Sequence, residues 1–154
     1  MSLKRPESVL VVLYSEQSNV LLLQRDDDAD FWQSVTGTIE VGESPIQTAY
    51  REVEEETGLK LSFDSHDIVD CRHVNQYRIR QAWLHRYPKG TQYNNEHVFC
   101  AQIAQTHEIT LTEHLSFKWL SKAQAIEKAW SESNRIAIKK FVPESLIAVH
   151  KGSP

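Results

Sequence analysis

Four of the five residues from Glu52 to Glu56 are glutamates, within the stretch "REVEEETG". Like charges so close together oppose the helix they would share, and the Glu52/Glu56 pair, one turn apart, costs about 0.2–0.5 kcal/mol. Carboxylates also sit badly in the last turns of a helix, at the negative end of its macrodipole. A solvated acidic face is the plain alternative, but it does not account for the crowding. A hard divalent cation does. Magnesium prefers carboxylate oxygen and water and commonly bridges protein to phosphate. The chemistry on offer is that of a bound dication meeting an anionic ligand such as phosphate. Metal ions neutralise nonbridging oxygens and lower the pKa of water, and positioned cations supply charge stabilisation to the transition state.

The element that must carry these carboxylates is marked at both ends. Ser44-Pro45-Ile46-Gln47 is a capping box with proline in the first turn, and Gly58 supplies a left-handed stop. The spacing predicts a helix from about Pro45 to Thr57, with Ile46, Ala49, Tyr50 and Val53 as its apolar stripe. At about 100° per residue, Glu52, Glu55 and Glu56 fall along one edge of that stripe, while Glu54 points elsewhere. Around the helix, "SVLVVLY", "NVLLLQR", "FWQSVTGTIE", "IVDCRHV", "YRIRQAWLHRY" and "HVFCAQI" read as strands, with turns at "SEQS" and "YPKGTQYNNE". "KWLSKAQAIEKAW" and "NRIAIKKFV" carry helical spacing. Strands on either side of a capped helix, closed by further helices, predict an α+β domain with a mixed sheet.

Other participants must come from outside the helix. Arg25 ends an apolar strand and is the best-placed cation; Lys4, Arg5, Arg78, Arg80 and Arg86 are others. Glu113 in "TLTEHLSFKWL" is the choice for a further carboxylate, as ligand or base, because it precedes a strand-like segment. Glu96 and Glu108 compete with it. Phe31, Trp32, Tyr77 and Trp83 are candidate platforms for a flat ring, although such a residue is more often core than ligand contact. His85, His97 and His114 could assist as acids, but no pair shows zinc spacing.

From Gly37 the chain runs "GTIEVGESPIQTAYREVEEETGL", matching G-x5-E-x7-R-E-U-x-E-E-x-G-U, where U is apolar, at every defined position. With each of seven fixed residues at roughly 7%, chance gives about 10⁻⁸ per starting point. The pattern is similar to the signature of the Nudix hydrolases. That resemblance implies an α/β/α sandwich with a mixed central sheet, and cleavage of a diphosphate bond. It implies metal ligation by Glu52, Glu55 and Glu56, joined by the Gly37 carbonyl, with Mg2+ as cofactor and Mn2+ as an alternative. It further implies that Arg51 orients the glutamates and that Glu43 pairs with Arg51.

Longer stretches, "LQRDDDADFWQSVTGTIEVGE", "HRYPKG", "NNEHVFC", "LTEHLSFKWL" and "SNRIAIKKFV", resemble the family's subgroup that acts on dihydroneopterin triphosphate in bacterial folate synthesis. This closer likeness implies metal binding by Glu113. It implies substrate contacts from Lys4, Arg25, Thr36, the stretch Tyr77, Arg78, Ile79 and Arg80, and Ser131. The serine-tryptophan order near Ser131 and the stretch "RHVNQYRIRQAW" depart from the subgroup's pattern. Two rival readings are a broader nucleoside triphosphate or dinucleoside polyphosphate hydrolase, and a Nudix module that binds a nucleotide without cleaving it. Such modules typically lose carboxylates of the signature; here all are present.

Length and composition bound the rest. The 154 residues predict one domain over 1–150 and a frayed tail over 151–154. A formal charge of −4 offers no broad basic field for nucleic acid, so any anionic ligand must be met locally or through metal; the resemblance implies a small-molecule polyphosphate as the partner. The seven-residue apolar run after "MSLKRPE" is too short for a signal peptide or membrane span. Cys71 and Cys100, each in an apolar run, read as reduced core residues. A cytoplasmic protein is expected, and its oligomeric state is left open.

Overall fold

The structure is a computed structural model and describes residues 3–145. The expected tail, 151–154, lies outside the described residues. The strands are β1 (Glu7–Tyr14), β2 (Val20–Gln24), β3 (Trp32–Gln33), β4 (Val35–Thr38), β5 (Val69–Arg78), β6 (Tyr93–Gln102) and β7 (Ser116–Leu120). The helices are α1 (Pro45–Thr57), α2 (Lys122–Lys128) and α3 (Glu132–Phe141), with a 3₁₀ turn at Gln81–Arg86. The sheet runs β3-β2-β1-β6-β5, with β7 on β2 and β4 on β1. Only β1 and β6 pair in parallel. This is the mixed sheet expected.

β1 is apolar on both faces because both are covered. Val9, Val11 and Leu13 pack with Ala49 and Val53 of α1. Leu10 and Val12 pack with Ala125 of α2 and Ala137 and Ile138 of α3. The result is a helix layer on each side of the sheet. β1 also changes neighbours along its length: residues Ser8 to Val11 pair with β4, whereas Tyr14 pairs with Val20 of β2. Residues on both sides of this parting line the principal cavity.

α1 has the ends its sequence predicts. Ser44 Oγ accepts from the Gln47 N–H and the Gln47 side chain accepts from the Ser44 N–H. Gly58 stops the helix at φ 78°, a conformation glycine adopts without strain. Arg51 fixes the helix to the sheet. Its Nε and Nη2 donate to Glu43 at 2.6 and 2.9 Å, Nη2 also donates to the Thr38 carbonyl at 3.1 Å, and Nη1 donates to Glu52 at 2.6 Å and Glu55 at 3.1 Å. The guanidinium, with further bonds from the Glu40 N–H and Thr48 hydroxyl, holds the Glu43 carboxyl down to about 2.

Four sequence expectations are corrected. "FWQSVTGTIE" is two short strands broken at Ser34, whose N–H donates to Asn134 Oδ1 at 2.8 Å while Asn134 Nδ2 donates to its hydroxyl at 2.9 Å. A side chain from α3 here takes the place of a ladder partner. "YRIRQAWLHRY" does not form a strand of its own. Its first residues finish β5, which bulges between Asp70 and His73, and the rest is the 3₁₀ turn. "KWL" belongs to β7 rather than to a helix, because the capping box of Ser121 and Gln124 sets the start of α2 at Lys122. Cys71 and Cys100 are unpaired thiols, as read, but half-buried at the margin of the core. Among the described residues, no helix is long and apolar enough to cross a membrane.

Two outcomes follow from these contacts. Asn134→Ala orphans the buried Ser34 N–H and should lower stability by about 1–3 kcal/mol in urea denaturation; no loss would mean that Ser34 finds another partner. Glu43, depressed from an ordinary value of 4.5, contributes stability that is complete above that value and fades as pH falls through about 2. Glu43→Gln should therefore melt below the parent at neutral pH, with the gap closing as pH drops from about 4.5 toward about 2.

Candidate active site

The cavity encloses about 970 Å³, within the range of small-molecule sites. Two α1 carboxylates line one side. Glu56 is only 6% exposed although it carries an ionisable group. Burial raises its carboxyl well above the ordinary range, and neighbouring Glu52 raises it further. Glu52 is raised too, chiefly by burial, and opposed by Arg51. Like charges in low dielectric cannot both ionise freely. Burial and mutual proximity therefore work against ionising both carboxyls at once.

β4 brings its backbone against this pair. A Cβ at Gly37 would collide with the Glu52 carboxyl, so the close approach requires glycine. The neighbouring Thr36 backbone opposes the rise at Glu56, and its hydroxyl donates to the Val9 carbonyl at 2.8 Å. On the far side, the Thr110 N–H donates to the Thr57 carbonyl and the Thr112 hydroxyl to the Glu55 carbonyl, both at 2.8 Å. These two bonds dock the loop that delivers Glu113 and His114 to the cavity. His114 Nε2 lies 3.8 Å from Glu56 Oε1, and burial lowers the imidazole, keeping it neutral.

The donor set suits a hard dication. Glu56 Oε1 is buried with no hydrogen-bond partner, an arrangement that costs free energy unless something positive meets it. Among the described residues, no three acidic, histidine or cysteine side chains already converge on one point. The reason is visible: Glu55 is held by Arg51, its side chain 57% exposed, and does not line the cavity.

Cations face the carboxylates. Lys4 is lowered by burial first, then by Arg86 and Arg25, and its N–H donates to the Arg86 carbonyl at 2.7 Å. Arg25 grips Asp27 through Nε at 2.7 Å and Nη2 at 2.5 Å, and its third nitrogen donates to Gln33 at 3.1 Å. Arg5 also lines the cavity but donates to the carbonyls of Ile39 and Glu40. Phosphate oxygens entering here would meet concentrated positive charge.

Of the residues expected from the sequence, Lys4, Arg25, Thr36, Gly37, Glu52, Glu56, Tyr77, Arg78, Ile79, Arg80, Glu113 and Ser131 line this one cavity. Ser131 also caps α3, accepting from the Asn134 N–H. Arg51, Glu43 and Gly58 act on α1 from outside it. Glu96 lines the cavity; Glu108 does not. Among the aromatic candidates, Trp32 is core at 5% exposure, while Phe31 stands behind the cavity, stacked on Trp130 at 4.5 Å. Trp83 does line it, as does Trp130, which sequence reasoning missed. The Arg80 guanidinium lies over Phe31, Trp83 and Trp130 at 4.9, 5.0 and 5.6 Å. Ser8 and Asn94 were also missed. The alternation in "NNEHVF" could have found Asn94, since Asn94, Glu96 and Val98 share a face and only the last is apolar.

Comparison with known proteins agrees with this geometry. The profile of the NUDIX domain matches residues 4–141. The dihydroneopterin triphosphate diphosphatase of Escherichia coli is 44% identical over 142 residues, covering 90% of this chain and 93% of that protein. The protein of the same name from Haemophilus influenzae is 42% identical over 143 residues, covering 92% and 90%. The solved structure of the E. coli dihydroneopterin triphosphate pyrophosphohydrolase superposes with a TM-score of 0.87 at 43% identity, covering 92% of this chain and 98% of that one. A likeness that extends from Lys4 at the cavity through the glutamates of α1 to the last turn of α3 means that the chain belongs to the Nudix family.

Proposed function

We propose that this protein is a divalent-metal-dependent pyrophosphohydrolase that converts 7,8-dihydroneopterin triphosphate and water to dihydroneopterin monophosphate and pyrophosphate. The observation that carries the reading is the buried Glu52/Glu56 pair facing Lys4, Arg25 and Arg86 across one cavity. Identity above 40% to two diphosphatases of that substrate supports the choice of ring.

Glu52, Glu56 and Glu113 would hold the metal, with Glu55 available if Arg51 releases it. Magnesium is the expected ion, and manganese an acceptable one, because the donors are hard oxygens. When bound, the ion supplies neutralisation of phosphate charge and acidification of water. The chain's own residues do the rest. Lys4, Arg25 and Arg86 meet the nonbridging oxygens and position the anhydride. Arg51 keeps Glu52 oriented toward the cavity while sharing its charge. Water adds one new P–O bond, the bridging oxygen leaves with the other phosphorus, and the proton released passes to a carboxylate of the Glu52/Glu56/Glu113 group. Neutral His114 beside Glu56 keeps a further positive charge out of the metal site.

With magnesium present, pyrophosphate release from dihydroneopterin triphosphate should exceed that from deoxyadenosine triphosphate in direct competition at equal concentrations. Faster turnover of the nucleotide would refute the substrate assignment. Glu56→Gln should lower kcat by at least about 10³-fold, the several kcal/mol that a metal contributes to such a transition state. The same variant should melt no lower than the parent in chelator, since one of two crowded buried carboxyls becomes a neutral amide, and should lose the rise in Tm that magnesium gives the parent. Parent-like activity, or an unchanged magnesium response, would remove Glu56 from the metal site.

A further inference from the structure

One buried carboxylate in the cavity has no part in the phosphate chemistry. Glu96 lies on β6, on the sheet face that packs against α3, and is 4% exposed. No lysine or arginine among the described residues pairs with it. Its neighbours are neutral: Asn75 Nδ2 donates to Oε1 at 3.3 Å, and the Ser133 side chain lies close enough to lower its carboxyl. Burial is the main influence on its carboxyl and raises it. Beside it on the same strand and face, Asn94 is 1% exposed and donates to the Ser8 hydroxyl at 2.7 Å and the Tyr77 hydroxyl at 3.1 Å. Tyr77, Asn94, Glu96, Ser131 and Ser133 all line the cavity. By contrast, Lys4 feels Arg86, Arg25 and Glu52, and Arg25 feels Glu56. The cavity thus has a cationic side suited to phosphate and a side with a buried acceptor held only by neutral donors.

We infer that Glu96 is the residue that reads the ring. Its carboxylate accepts two adjacent N–H donors from a 2-amino-4-oxopyrimidine edge: the ring N–H and the neighbouring exocyclic amino group. Pterins and guanine present that pair; adenine and hypoxanthine do not. Two acceptor oxygens match two parallel donors, and a pocket built around a buried polar group rejects analogues that leave it unpaired. Asn94 and Tyr77, tied together, shape the wall beside that edge. This assignment deepens the proposed function and rests on the same cavity, but it concerns the class of ring rather than the pterin itself.

The test compares guanosine and inosine triphosphates, which differ only in the 2-amino group, on the parent protein with magnesium. Nucleotides that are not turned over are compared as inhibitors. Guanosine triphosphate should be favoured by about tenfold or more, the discrimination typical of a bidentate pair; equal treatment overturns the inference. In a second arm, Glu96→Gln should cut the ratio of kcat/KM for dihydroneopterin triphosphate over adenosine triphosphate by about 10–100-fold, because the amide places a donor against a donor. Equal losses on both substrates would show a structural role and also overturn it. If the variant does not fold, the parent arm decides. A parent that prefers guanosine over inosine triphosphate yet ignores the pterin would sink the proposed substrate and keep Glu96 as the ring reader. Brisk pterin turnover with no guanosine preference would do the reverse.

Discussion

Arg51 is the constraint around which the active site is arranged. A helix carrying Glu52, Glu54, Glu55 and Glu56 has every electrostatic reason to fray. One guanidinium, with all its nitrogens engaged, joins Glu43 ahead of the helix, the Thr38 carbonyl of β4, and two of those glutamates. Lysine could not do this, because a point charge has no planar fork to span four groups. By drawing α1 onto β4, Arg51 also dictates the glycine at 37, where the strand backbone touches the Glu52 carboxyl.

The same arrangement leaves a local deficit. Glu56 is buried, its carboxyl raised by that burial, and short of a partner at Oε1, and His114 beside it keeps Nδ1 unbonded. Sites that hold unmet polar groups ready for a ligand are less stable than a satisfied core would be. Stability elsewhere offsets this: a β1 buried on both faces, and an α3 pinned to Ser34 through Asn134.

Much of the site was legible because its signals are local. The capping box at Ser44, the stop at Gly58 and the glutamate spacing all lie within one helix, where sequence separation and spatial separation coincide. Glu113 was reachable through its place before an apolar segment. What the sequence hid depends on distant partners. The break at Ser34 exists because Asn134, far along the chain, reaches into the sheet. The 3₁₀ turn carries β-compatible residues, yet Arg80 and Trp83 are taken up by an aromatic group that includes Trp130. Asn94 and Ser8 look like ordinary polar strand residues until parallel pairing of β1 with β6 brings them together.

The pairing of Arg25 with Asp27 has a consequence for the catalytic cycle. If the phosphates meet Arg25 as proposed, an incoming anion would have to displace a carboxylate already held through two nitrogens. Several linked phosphate groups, engaging neighbouring cations at once, can win that exchange, whereas a solitary phosphate is a weaker contender. Under that reading the aspartate would act as an internal rival that admits long chains more readily than spent, shorter ones, favouring turnover over product retention.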